Sequence, residues 1–187
     1  MFFPSAAAVD VTVPRWLPWA LAGSVGLLLA TFLLVALALD DDPVSTTDNG
    51  RPVGFEVATL QSTQPDGSVL EWCVWHAETR DQRSQGLQEV SDLGQPIGMA
   101  FTYDAPVRNS YHMHNTEMPL SIAWFGDTHR FVAATDMVPC EEDDISNCTR
   151  YSPGAQYALA VEVAQGELAT YGLVPGSAVE LLDQPCP

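Results

Sequence analysis

His112 and His114 place two imidazoles two residues apart near the middle of the chain, with Met113 between them. On an extended strand, residues two apart face the same way, so both rings can converge on one ion. Imidazole suits zinc or copper, and a thioether from Met99 or Met118 would favour cuprous copper. Two ligands leave a coordination shell incomplete, so His76 or His129 would have to complete it from elsewhere in the fold. The competing reading of His112 and His114 is a polar pair on an exposed strand face. Nucleophilic chemistry has less support. Ser110 and Ser121 flank the histidines, but neither lies in a G-x-S-x-G elbow. The sequence has no glycine-rich phosphate loop, and its acidic run at 141–144 lacks the alternating acids and glycine of a calcium-binding loop. These residues assign no reaction and no cofactor.

Two further groups bear on function. Trp72, Trp75, Tyr103, Tyr111 and Trp124 could line a sugar-binding cleft or fill the core of a β domain. Cys73, Cys140, Cys148 and Cys186 are even in number, which in an exported domain suggests two disulfides, with three connectivities open. Cys140 and Cys148 bracket an acidic loop that a bridge would pin. Cys73 and Cys186 would then join the first strand region to the far end of the domain. No pair has the spacing of a zinc knuckle, and bridged thiols cannot serve as nucleophiles.

The chain that must position these residues has 187 residues, 47% apolar and 17% charged, a balance that excludes a wholly disordered protein. It carries 24 acidic side chains against 7 basic ones, all arginine, for a formal charge of −17. That surplus excludes nucleic acid as a partner and disfavours anionic lipid headgroups. Residues 16–39 are uncharged and mostly apolar. As a helix they span about 36 Å, enough for a hydrocarbon core of about 30 Å. Trp16 and Trp19 suit the lipid–water boundary, and Arg15 before the segment with Asp40 to Asp42 after it puts the N-terminus inside. The expected order is a cytoplasmic segment 1–15, a transmembrane helix 16–39, an acidic linker 40–53 and an extracytoplasmic domain 54–187. A cleaved signal peptide is the alternative, although its apolar core is usually only about 7–15 residues.

Within the domain, strands are predicted at 54–60, 68–75, 97–103, 107–113, 120–125, 130–138, 157–163 and 178–182. Helices are predicted at 79–87, opened by Thr79 as N-cap, and at 164–171. Many short strands with two short helices point to a mainly β fold, a compact β-sandwich or a partly closed barrel.

The stretch from Ser110 to Phe125 resembles the signature of the domain of unknown function family 192. Tyr111, Met113, Asn115, Thr116, Pro119, Leu120 and Ile122 match its pattern in order. Thr79, Arg83, Gly86 and Leu87 resemble its early helix, and Gly98, Met99 and Phe101 resemble a following strand. Pro139, Cys140, Cys148, Tyr151, Ser152 and Pro153 resemble its two-cysteine loop. The departures are His112 for Trp, His114 for Lys and Ser121 for Asp, which remove a charged pair from the signature. The resemblance implies a compact, mainly β domain, exported or membrane-anchored, and no established reaction. Tyr111, His112, His114, Asn115, Thr116 and Ser121 are the candidate ligand-binding residues. The expected role is a membrane-anchored, non-catalytic binding or envelope accessory module for a small molecule, glycan or envelope protein. The alternative is a copper or zinc protein built on His112 and His114.

Overall fold

The computed structural model describes residues 47–182 together with Gln184 and Cys186. The expected transmembrane segment at 16–39 lies outside these residues. Within the expected linker, β1 (Thr47–Asp48) and β2 (Arg51–Pro52) form a small hairpin. Asn49 and Gly50 turn it with positive φ of 51° and 80°, conformations that Asn and Gly adopt most readily.

The remaining strands are β3 (Glu56–Thr63), β4 (Val69–Ala77), β5 (Gly98–Val107), β6 (Leu120–Phe125), β7 (Phe131–Met137), β8 (Tyr157–Ala164) and β9 (Ala178–Leu182). They form one seven-stranded sheet in the order β7-β6-β8-β5-β4-β3-β9. It is mixed because β4 and β5 run parallel while every other pair is antiparallel. A parallel pair needs a crossover, and the crossover carries α1 (Arg80–Gln85). Thr79 caps that helix and Gln82 reaches back to the cap backbone, completing a capping box.

Where the sequence predicts a sandwich or a partly closed barrel, the structure has one mixed seven-stranded sheet that curls, not two stacked sheets. Leu60 of β3 and Val179 of its neighbour β9 share one apolar cluster with Phe125 of β6, which lies near the opposite edge in the order. At one corner the two edges meet. Phe131 N donates to Ser177 O at 3.0 Å and Val179 N donates to His129 O at 2.9 Å. The other face holds a second cluster, including Met99, Phe101, Ile122, Trp124 and Tyr157, covered by Leu87, Val90 and Met113 from connecting segments. Both faces of β6 are therefore buried from end to end.

Two expected elements are absent. Residues 107–113 do not form their own strand. β5 runs on to Val107 with a register shift after Thr102, and between it and β6 only isolated bridges follow, Tyr111 to Tyr151 and His114 to Cys140. Pro106 lacks an N–H and favours such irregularity at a strand end. Ala164 closes β8 and the chain from 165 to 171 turns without forming a helix. Gly166 has a φ of 87°, which breaks the helical path, and its N–H donates to Ser121 Oγ at 2.9 Å. Among the described residues, in place of two helices there is α1 and one 3-10 turn (Ile145–Asn147).

Both disulfides are those expected. Cys73–Cys186 and Cys140–Cys148 have Cα separations of 5.5 and 5.7 Å. Such bridges persist in oxidising compartments, which fits an extracytoplasmic domain.

Candidate functional site

A cleft of about 730 Å³ opens between α1, the irregular segment after β5 and the sheet face formed by β5 and β8. Four of the seven arginines line it: Arg80, Arg83, Arg108 and Arg150. Three separate pieces of backbone bring them there. Arg80 and Arg83 lie three apart on α1 and so share a helix face. Arg83 donates from Nη1 to Thr102 O at 2.9 Å and to Glu78 O, and its guanidinium lies 4.7 Å from the Tyr103 ring centre. Arg108 follows β5 and donates to Gly154 O at 3.4 Å. Arg150 stands beside the Cys140–Cys148 bridge and donates to Ile145 O at 3.3 Å. None of the four makes an ion pair with an acidic side chain among the described residues. In a chain with 24 acids this concentration of unpaired cations sets the cleft apart from the rest of the surface.

The wall is phenolic. Tyr103 and Tyr111 line the cleft with their hydroxyls 3.1 Å apart, and Tyr157 packs edge-on to Tyr103 at 5.5 Å. Tyr157 also donates to Asn109 O at 3.2 Å, fastening the irregular segment to β8. Burial raises the Tyr111 and Tyr157 pKa values well above that of an ordinary phenol, helped in both by the neighbouring Tyr103. Both stay neutral.

Glu162 forms the floor. Its strand partners are Met99 on β5 and Ile122 on β6, so its carboxyl rises from an apolar surface. The residue is 5% exposed and lines the cleft, and its side chain has no hydrogen-bond partner among the described residues. Burial alone pushes its pKa up to about 8, because an ion there would lose water without gaining a partner. The backbone is equally close-fitting here. A Cβ at Gly98 would strike the Glu162 carbonyl oxygen, so only glycine lets β5 and β8 approach at this point.

The structure separates the residues nominated from sequence. Tyr111, His112 and Thr116 line the cleft. His114, Asn115 and again Thr116 line a second hollow of about 690 Å³ whose rim is acidic, with Glu141, Glu142 and Asp143. Ser121 serves neither. It alternates with Leu120 and Ile122, points to the opposite sheet face, and donates to Asp136 Oδ1 at 2.5 Å. With no strand at 107–113, the alternation argument for His112 and His114 does not apply. Their ring centres are 6.4 Å apart and the rings lie at 78°. His112 accepts from His114 N at 3.3 Å, and His114 Nε2 lies 3.4 Å from Asp143 O. Burial, then the positive Arg150 and the neighbouring His114 ring, lowers the His112 pKa. His76 is engaged with Thr102 Oγ1 at 2.8 Å, and His129 sits in the β6–β7 turn. No group of three or more His, Cys, Asp or Glu side chains gathers as a metal shell among the described residues.

Asn115 adopts a positive φ of 54° and its carbonyl accepts from Glu89 N at 2.7 Å, while Thr116 donates to His114 O at 3.4 Å. These two residues shape the turn into β6. Of the five aromatic residues considered for a cleft, only Tyr103 and Tyr111 line it. Trp72 packs on Tyr171, Trp75 donates to Leu93 O at 3.0 Å, and Trp124 is core.

Solved structures share this fold. One is a proposed transcription regulator from Sinorhizobium meliloti, 21% identical, covering 69% of this chain and 96% of its own, with a TM-score of 0.60. Another is a protein of unknown function from Novosphingobium aromaticivorans, 23% identical, covering 73% and 99%, with a TM-score of 0.57. No curated protein matches the chain. The family model of DUF192, an uncharacterized ACR, matches residues 61–181, which include the cleft floor and all four of its arginines, on either side of the signature. The chain belongs to the DUF192 family.

Proposed function

We propose that this domain is a non-catalytic ligand-binding module and that the cleft takes a small anionic molecule. The observation that carries the reading is the convergence of Arg80, Arg83, Arg108 and Arg150 on one cleft without an acidic partner among them. Guanidinium groups pair with carboxylate and phosphate by charge-assisted hydrogen bonds, each contributing about 1.5–3 kcal/mol. A cleft of about 730 Å³ falls within the usual range for small-molecule sites. Ser84, Ser110 and His112 also line the cleft, but no hydrogen bond joins a serine hydroxyl to the His112 ring among the described residues, so no activated serine is assembled, which favours binding over turnover.

Inorganic phosphate titrated into the full-length protein in nonionic detergent tests the reading. The expected result is saturable binding that weakens at least about 10-fold when Arg108 and Arg150 are both changed to alanine. Unchanged phosphate affinity in that variant would remove the cleft as the site.

The module is tethered, in this reading, by the uncharged segment 16–39, with the domain on the extracytoplasmic side. Protease added to intact cells is expected to digest the domain and leave a membrane-embedded fragment. A mature N-terminus near Leu39 by mass spectrometry would replace the tether with a cleaved signal.

A further inference from the structure

Glu162 is the only acidic side chain buried among the described residues, and the cleft's binding role does not by itself account for it. A carboxyl at 5% exposure with no hydrogen-bond partner is a costly arrangement, and its neighbours Met99 and Ile122 would pack well against an apolar residue instead. The cleft is the space that Glu162 borders. We infer that Glu162 is a ligand-recognition residue, and that the ligand is a hydroxylated organic anion, an anionic sugar bearing a carboxylate or a phosphate. The inference rests on the cleft being an anion site.

The chemistry of the two ends selects this class. A protonated carboxyl presents one donor and one acceptor, the complement of a hydroxyl, which accepts and donates in turn. A ligand ammonium group would suit an ionised Glu162, but it would have to pass four guanidinium groups that repel it. A second carboxylate on the ligand would find only one donor at the floor and would lose its own water there. The intervening wall is also matched to hydroxyls, because Ser84, Gln85, Gln88, Asn109 and Ser110 bring neutral donors and acceptors to the cleft. Anion at the arginines and hydroxyl at the floor describe one molecule.

Calorimetric titration of the full-length protein in nonionic detergent tests this with three probes: D-glucuronate, glucose 6-phosphate and cyclohexanecarboxylate, an acid of similar size without hydroxyls. Each is titrated into the wild type, Glu162→Gln and Glu162→Leu. At least one sugar is expected to bind about 10-fold tighter than cyclohexanecarboxylate, and the two sugars distinguish carboxylate from phosphate at the arginine end. Glu162→Gln keeps a donor and an acceptor and is expected to retain the preference. Glu162→Leu is expected to abolish it by weakening the sugars about 10-fold, with cyclohexanecarboxylate unchanged. Both variants remove a buried ionisable group, so thermal unfolding should show folded protein. Equal affinity for all three acids in the wild type and Glu162→Leu would overturn the role of Glu162 and leave the anion cleft standing. No binding of any probe, inorganic phosphate included, would remove the cleft reading and this inference with it.

Discussion

Replacing Cys73 and Cys186 together by serine is expected to lower the unfolding free energy by about 4–5 kcal/mol, against about 2–3 kcal/mol for Cys140 and Cys148. The difference follows from loop length. The first bridge closes a separation of 113 residues and the second only 8, and the entropy withheld from the unfolded chain grows with the loop. The long bridge also sits where it controls the sheet. Cys73 lies on β4 opposite Thr59 of β3, and Thr59 pairs on its other side with Leu182 of β9. Since a domain of this size is stable by only about 5–15 kcal/mol, losing this bridge removes a large share. Urea denaturation of both double variants under non-reducing conditions measures the two losses. Equal losses would show that unfolded-chain entropy is not the main contribution.

Glu162→Gln is expected to change the pH dependence of stability more than any other single substitution. The folded carboxyl holds its proton up to about pH 8, whereas an ordinary glutamate releases it near 4.5. Between those values the unfolded chain is ionised and the native state is not, so unfolding releases a proton and rising pH favours unfolding. The penalty is absent at low pH, grows through this window and reaches about 5 kcal/mol above it. Glutamine carries no such penalty. The variant's advantage over the wild type should therefore grow by about 4 kcal/mol from about pH 5 to about pH 9, read from denaturation midpoints. A constant difference across that range would place the folded pKa of Glu162 near the ordinary value.

Sequence disclosed the frame of this domain better than its working surface. The Cys140–Cys148 bridge was legible because its residues bracket one short loop, and the turn at Gly126 because Phe125 and Phe131 flank it as a direct register pair. The helix at 164–171 failed because side-chain propensity there says nothing of Ser121 waiting to bind Gly166 N. Glu162 was concealed by its own strand. Leu159, Val161 and Val163 mark one face as apolar, so alternation assigns Glu162 to solvent, and only burial of both faces reverses that. Of the arginines at 80, 83, 108 and 150 only Arg83 belongs to a sequence pattern, and the crossover, the irregular segment and the disulfide loop bring the four together only in space. His112 was found for a reason that the structure does not support, yet it does line the cleft.

The corner where His129 and Phe131 meet Ser177 and Val179 has a consequence for how this domain can meet other chains. An open sheet offers two rows of unpaired peptide groups that a foreign strand can zip onto, the usual first step in fibril growth and strand-swapped assembly. Here each outer strand is interrupted by the other, so an added strand would have to displace native peptide bonding before extending far along either one. Exposed Asp136 and Glu180 add charge along the two remaining stretches. Any protein that docks on this domain is therefore expected to read side chains, and the domain can be held at high local density without polymerising through its edges.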